Sequence, residues 1–125
     1  MPQAQNITLT HNAVNTICKP RSVNAGLALM QADHADGVSH RTGISVKNRL
    51  ANGSQGQLTK IAILVPVTET VDGVQKVVRE ARMFIEIPLA ADATKTEAEE
   101  ILSFGASALA DATVVAVVSD FEQVL

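Results

Sequence analysis

The sequence predicts an α+β fold: an antiparallel sheet to about residue 90, then helices from about residue 94 to residue 125, in one domain. Three observations predict it. Apolar and polar residues alternate with period two between turn signals as far as Pro88, as strands with one buried face require. Thr94 and Glu97 have the T-x-x-E spacing of a helix capping box. After them, apolar residues recur at helical spacing. No internal repeat or low-complexity linker divides the 125 residues, which suffice for one modest core.

Taken in order, Asn6–Thr10 alternates as a strand, His11-Asn12 forms a turn, and Ala13–Cys18 returns. Pro20 interrupts this pattern because it cannot donate to a ladder. Ala25–Met30 is a short third strand, and Asp36-Gly37 marks a turn. From Gly43, Ile44, Val46 and Leu50 alternate with Ser45, Lys47 and Arg49, giving one apolar face and one basic face. Asn52-Gly53 is a strong turn signal, and Gly56 adds slack. Thr59–Pro66 is the central strand, with Ile61, Ile63 and Val65 on one side and Lys60, Ala62 and Leu64 opposite. Pro66 ends it.

Thr68–Gln75 reads as a loop around Asp72-Gly73. The next strand, from near Lys76 to Pro88, sets Ala81, Met83, Ile85 and Ile87 against Glu80, Arg82, Phe84 and Glu86. It would run about 40 Å at roughly 3.3 Å per residue, well beyond the usual five or six residues. In the first helix Ala98, Ile101, Leu102, Ala106 and Leu109 form an apolar stripe. Gly105 weakens that helix or admits a close contact. Asp111 can cap a second helix, whose Val114, Val115, Val117, Val118 and Phe121 supply its apolar side. The β-branched run leaves a terminal strand as the competing reading.

Composition narrows the chemistry. The chain is 46% hydrophobic but only 2% aromatic, so its core is aliphatic. Cys18 is the only cysteine, which excludes an internal disulfide and fits a reducing site of synthesis. Met1–Thr10 lacks the pattern of a signal peptide. The longest apolar runs, Ile61–Val65 and Val114–Val118, fall far short of a membrane span. The sequons at Asn6 and Asn52 read as chance matches. Net charge is −3, divided as +4 over residues 1–60 and −7 over residues 61–125, an asymmetry that suits one face meeting a polyanion.

No catalytic constellation emerges. His11, His34 and His40 have no metal-ligand spacing. Asp33, His34 and Asp36 read as a surface turn more readily than a metal site. Cys18 with a distant histidine is a pairing that any such chain offers. Glu80 and Glu86 lie roughly 20 Å apart along one strand, too far for paired carboxylates. Ser103, Ser107 and Ser119 lack a nucleophile elbow. No phosphate-loop or dinucleotide spacing occurs. We expect no enzyme, no cofactor and no metal.

A single copy looks incomplete. The apolar sheet face needs a cover, and the terminal helices could supply it to their own sheet or to a partner's. Two sheets could also join edge to edge, removing an exposed edge. Opposite the core, Ser45, Lys47, Arg49, Lys60 and Arg82 share a face with Glu80 and Glu86. That face reads either as a solvated surface or as a contact for RNA.

From about Gln57 onward the chain resembles the coat proteins of the small single-stranded RNA bacteriophages, the leviviruses. The resemblance is carried by Lys60–Pro66, Thr68–Val74 closing with Gln75, Arg82–Pro88 and the helix from Thr94 to Leu109. The N-terminal half matches in order of elements and length. The resemblance implies an N-terminal hairpin, about five antiparallel strands and two helices. It implies an interlocked homodimer with a continuous ten-stranded sheet, each copy's helices lying over its partner's sheet. It further implies a T=3 icosahedral shell of about 180 copies enclosing single-stranded RNA, made in the host bacterial cytoplasm and carried in the virion. A single-copy maturation protein would be a further partner, and gripping an operator hairpin would repress replicase translation.

By the same resemblance, Ser45, Lys47, Arg49, Lys60, Glu80, Arg82, Phe84 and Glu86 fall on the inward, RNA-binding face. Thr68, Glu69, Thr70, Val71, Asp72, Gly73, Val74 and Gln75 form the loop that meets its copies between dimers. The chain departs from the family where Ala62 and Leu64 replace polar or charged positions. Glu80 stands where a stacking aromatic is expected, leaving Phe84 to stack on a base. These departures favour packaging of RNA over recognition of one hairpin. The rival expectation is a small homodimeric RNA- or ligand-binding α+β protein that forms no shell.

Overall fold

The computed structural model describes residues 5–33, 41–50, 52 and 54–121. Six strands and two helices follow in order: β1 (Ile7–His11), β2 (Val14–Asn24), β3 (Leu27–Gln31), β4 (Gly43–Arg49), β5 (Gln57–Val71), β6 (Val74–Leu89), α1 (Lys95–Ala110) and α2 (Ala112–Ser119). Each strand pairs antiparallel with its sequence neighbours, in the order β1-β2-β3-β4-β5-β6. The α+β class and the division near residue 90 agree with the sequence. The turn expected at Asp36-Gly37, His34, His40 and Gly53 lie outside the described residues.

The first hairpin turns at Asn12-Ala13, one residue later than expected. His11 and Val14 close it, and both turn residues have positive φ, 50° and 61°. That is what a two-residue type I′ turn demands, and alanine fits it poorly because its Cβ crowds the backbone there. Ala13→Gly is therefore expected to stabilise the protein by about 0.5–1 kcal/mol. Urea unfolding at fixed protein concentration reads the gain as a higher midpoint.

Pro20 does not end its strand. β2 runs through it, and the register shifts between Pro20 and Ser22. Residues 14–18 of β2 pair with β1, and residues 19–24 pair with β3. The proline sits where the strand passes from hairpin to sheet, a bulge at which a missing N–H is tolerated. The main sheet thus has five strands, β2 to β6. Nearby, Lys19 and Arg21 both pair with the Asp33 carboxylate at the end of β3 and hold it below the usual carboxylate range.

Pro66 likewise lies inside β5, opposite Glu80. The pairing of β4 stops at Gly43 opposite Leu64. Beyond that point, among the described residues, β5 has β6 on one side only, so a residue without an N–H is accommodated. The expected loop at residues 68–75 is a continuation of the same hairpin. Thr68–Val71 belong to β5, and Val74 and Gln75 belong to β6. Asp72-Gly73 alone makes the turn, at φ 52° and 77°. Gly73 provides the left-handed conformation without steric cost. Strand β6 has 16 residues and, at roughly 3.3 Å each, reaches about 50 Å.

Gly56 does more than add slack. A Cβ there would fall 1.9 Å from the Leu89 carbonyl oxygen, a backbone atom that cannot swing aside. Gly56→Ala must separate the start of β5 from the end of β6. We expect a loss of about 1–3 kcal/mol, the range for forced overpacking, read from the same urea titration.

Thr94 caps α1 through the reciprocal bonds of a capping box with Glu97. The valine-rich segment after it is a helix and not a strand. The Asp111 carboxylate accepts from the Thr113 N–H at 2.9 Å, satisfying a free donor of its first turn. The two helices bend by 58° at Asp111. Among the described residues no single helix is long and apolar enough to cross a membrane.

Among the described residues, only Cys18, Met30 and Ile44 form a buried apolar core, with Ile7, Leu9, Ala28, Ala32, Val46, Ile61 and Ile63 packed around them. The first hairpin covers one part of the apolar sheet face. Burial pushes the Cys18 thiol up, keeping it protonated. The helices do not cover the rest: neither contributes a buried residue.

Candidate functional site

The face opposite this core is built by register. Across β3 to β6, one row runs Leu27, Lys47, Lys60, Glu86. The next runs Leu29, Ser45, Ala62, Phe84. A third runs Gln31, Gly43, Leu64, Arg82, with Glu80 opposite Pro66 beyond it. Arg49 stands opposite Leu58 at the other end. The alternation read from the sequence therefore brings all eight expected residues onto one face. Ser45, Lys47, Lys60, Phe84 and Glu86 line one open groove, and Ser45, Arg82 and Phe84 line its neighbour.

Charge is distributed unevenly over this face. Arg82 is held by Glu80 through two contacts, Nε at 3.2 Å and Nη2 at 2.5 Å. Arg49 donates to the Gly56 carbonyl at 3.4 Å. Lys47 and Lys60 stand directly opposite each other, and neither forms an ion pair among the described residues. Like charges placed opposite on adjacent strands repel. An anion seated between them would remove that repulsion. Beside the lysines lies Phe84, 73% exposed on an extended strand, a flat apolar ring open to stacking.

Leu27, Leu29 and Gln31 line the same grooves and were missed as site residues. Their own period-two spacing on β3 could have revealed them. They make the floor beside the lysines largely aliphatic. Among the described residues, no three His, Cys, Asp or Glu side chains gather to hold a metal.

Three further surfaces stand open. β6 is an edge strand of the sheet. The helices expose Ile101, Leu102, Phe104 and Leu109 on α1 and Val114, Val115 and Val118 on α2. Gly105, at the centre of the α1 stripe, has nothing within 4 Å of a Cβ built on it, so the close contact it could admit is absent within one copy. A second apolar cleft separates the tip of the first hairpin from the sheet, between Leu9 and Val14 on one side and Ile63 and Val65 on the other.

Comparison with known proteins finds one family whose model, described as levivirus coat protein, matches residues 2–125. Among solved structures, a virus-like particle of Beihai levi-like virus 21 superposes with a TM-score of 0.89 at 21% identity, covering 99% of each chain. A virus-like particle of bacteriophage ESE058 gives 0.84 at 18% identity, covering 99% of this chain and 100% of that one. The capsid protein of bacteriophage GA gives 0.74 at 21% identity, with coverages of 93% and 94%. At these identities the likeness is one of fold. Curated protein sequences yield no match.

Proposed function

This chain belongs to the levivirus coat protein family, and from that premise we propose that its copies pair into an interlocked dimer and close into an RNA-filled shell. A coat protein has a structural task, and the chain is not an enzyme. In the proposed dimer the β6 edges of two copies meet, so two five-stranded sheets become one of ten. The helices of each copy cross to the partner's apolar sheet face, beside its first hairpin.

The observation that carries this reading is the uncovered apolar surface. A chain that is 46% hydrophobic buries three core side chains among its described residues, while both helices present open apolar stripes. Soluble proteins do not leave such surface to water, and a second copy offers the complement to each part of it.

The face bearing Lys47 and Lys60 turns inward and meets single-stranded RNA, the lysines at phosphates and Phe84 at a base. Ser45, Arg49, Arg82, Glu80 and Glu86 border that contact. The same face could grip a genomic hairpin and so repress replicase translation. The hairpin tip from Thr68 to Gln75 meets its copies on neighbouring dimers. We place about 180 copies in a T=3 shell, with a single-copy maturation protein as a further partner. Synthesis takes place in the bacterial cytoplasm, and the protein's place is the virion.

Expression of the chain alone tests this reading, with negative-stain microscopy and light scattering at several salt concentrations. We expect closed particles of roughly 25–30 nm, the scale of a shell of this copy number. The chain is 13.2 kDa. Discrete dimers of about 26 kDa at every salt concentration would overturn the shell and leave the homodimeric binding protein.

A further inference from the structure

The face that carries Lys47 and Lys60 holds its cations in two different states. Those two lysines, near its centre, form no ion pair among the described residues. At its margin the register adds another. Lys19 on β2 stands opposite Gln31, and Gln31 belongs to the row with Gly43, Leu64 and Arg82. Lys19 therefore projects from the same face, away from the side on which its neighbour Cys18 is buried. Arg21 is the extra residue of the bulge between Pro20 and Ser22, a place where a strand can re-aim a side chain. Asp33 lies two residues beyond Gln31. The Ala32 between them packs against the core, which sets Asp33 on the face with Lys19.

One carboxylate holds both cations. Lys19 Nζ donates to Asp33 Oδ2 at 3.0 Å, and Arg21 Nη2 donates to Oδ1. Each oxygen takes one cation, as two oxygens of a phosphate group would. The bonds from Lys19 and Arg21 hold Asp33 below the usual carboxylate range, so it stays ionised at neutral pH. The site is nevertheless open, with the Asp33 side chain 61% exposed and that of Lys19 51%. A clip between β2 and β3 is a poor account of it. Exposed ion pairs add little to stability, and the two strands already share a ladder. The same arrangement recurs on this face at Arg82, which Glu80 engages.

We propose that Lys19 and Arg21 form a second phosphate-contact site on this face, and that Asp33 is its built-in competitor, occupying both cations until RNA phosphate displaces it. This rests on the RNA-contact reading and adds to it a marginal site and a restraint. Displacement leaves a carboxylate beside the incoming phosphate. Each dimer therefore holds RNA more loosely than its number of cations alone would give, and the free lysines at the centre make the first contact.

Asp33→Asn keeps the shape of the side chain and removes the competitor, releasing four cations in each dimer. Filter binding should show dimers holding poly(U), a single strand that forms no hairpin, about tenfold more tightly at low salt. The slope of log affinity against log salt should steepen by about 1–3. Thermal unfolding should stay within a few degrees of the wild type, since the lost pairs are exposed. In a Lys19→Ala, Arg21→Ala background the same substitution only lightens the general negative field, and its gain should shrink to about twofold. Equal gains in the two backgrounds, or no gain in the first, would overturn the competitor. An affinity for poly(U) left unmoved by Lys47→Ala with Lys60→Ala would overturn the RNA-contact reading itself.

Discussion

Ile101→Asp combined with Leu109→Asp is expected to abolish the dimer and every larger assembly. Both residues lie on the exposed apolar stripe of α1, at 49% and 51% exposure, so neither is buried within one copy. In the proposed dimer each is buried against the partner's sheet. Full burial of one such side chain is worth about 1.5–3 kcal/mol, and covering the half that is still exposed about half of that. The four in the dimer together supply about 3–6 kcal/mol, a large share of the roughly 8 kcal/mol that separates a micromolar dimer from its monomers. Placing unpaired carboxylates at the same points costs more again. Gel filtration with light scattering should show monomer or ill-defined aggregate. Circular dichroism should retain helix, since both positions are already solvated within one copy and aspartate costs only a few tenths in propensity. A wild-type dimer from this variant would mean that the helices do not cross to the partner.

The second large effect concerns RNA. Lys47→Ala with Lys60→Ala removes four cations from each dimer without touching the core. Four lost phosphate contacts, at roughly 0.7 each on single strands, should make the slope of log affinity against log salt shallower by about 3. Low-salt affinity should fall about 100-fold or more. Filter binding of dimers at several salt concentrations reads both, and the absorbance ratio of purified particles reads the packaged RNA. Particle yield is scored separately, because RNA can itself drive assembly. Arg82→Ala should do less, because Glu80 already engages that guanidinium. An unchanged slope in the lysine variant would remove this face as the RNA contact.

Much of this architecture was legible from one sequence, and the exceptions share a cause. The alternation of Ile44 to Arg49 and of Ala81 to Ile87 identified both faces of the sheet, because a pleated strand leaves no freedom in which side a residue takes. Thr94 and Glu97 fixed the start of α1 because capping is local. The misread residues depend on neighbours distant in sequence. Pro20 and Pro66 interrupt a strand only when a partner needs their N–H, and whether one does is set by where β3 and β4 pair. Gly56 looked incidental because its contact, the Leu89 carbonyl, lies far along the chain.

The tip from Thr68 to Gln75 looked like a loop because its polar residues carry no buried face to betray a strand. The valines after Asp111 favour a strand by propensity, but a capped helix leading from α1 prevails. The candidate site was legible in its charged members and not in Leu27 and Leu29. Aliphatic residues ordinarily announce a core, and here they floor a groove on the opposite face.

The strictly sequential strand order carries a kinetic consequence. Each strand of the six finds its mate in the segment just before it, and the longest pairing, β5 with β6, is closed by two residues. Closing short loops costs little entropy, so such a meander forms quickly for an all-antiparallel sheet. In the proposed dimer the step that follows would be bimolecular, with a rate that grows with the amount of chain already made. Shape would then be acquired at a speed independent of abundance, while commitment to a partner would wait for abundance. On that reading a subunit folded in this order carries its own timer: dilute chains would remain separate, and crowded ones would pair.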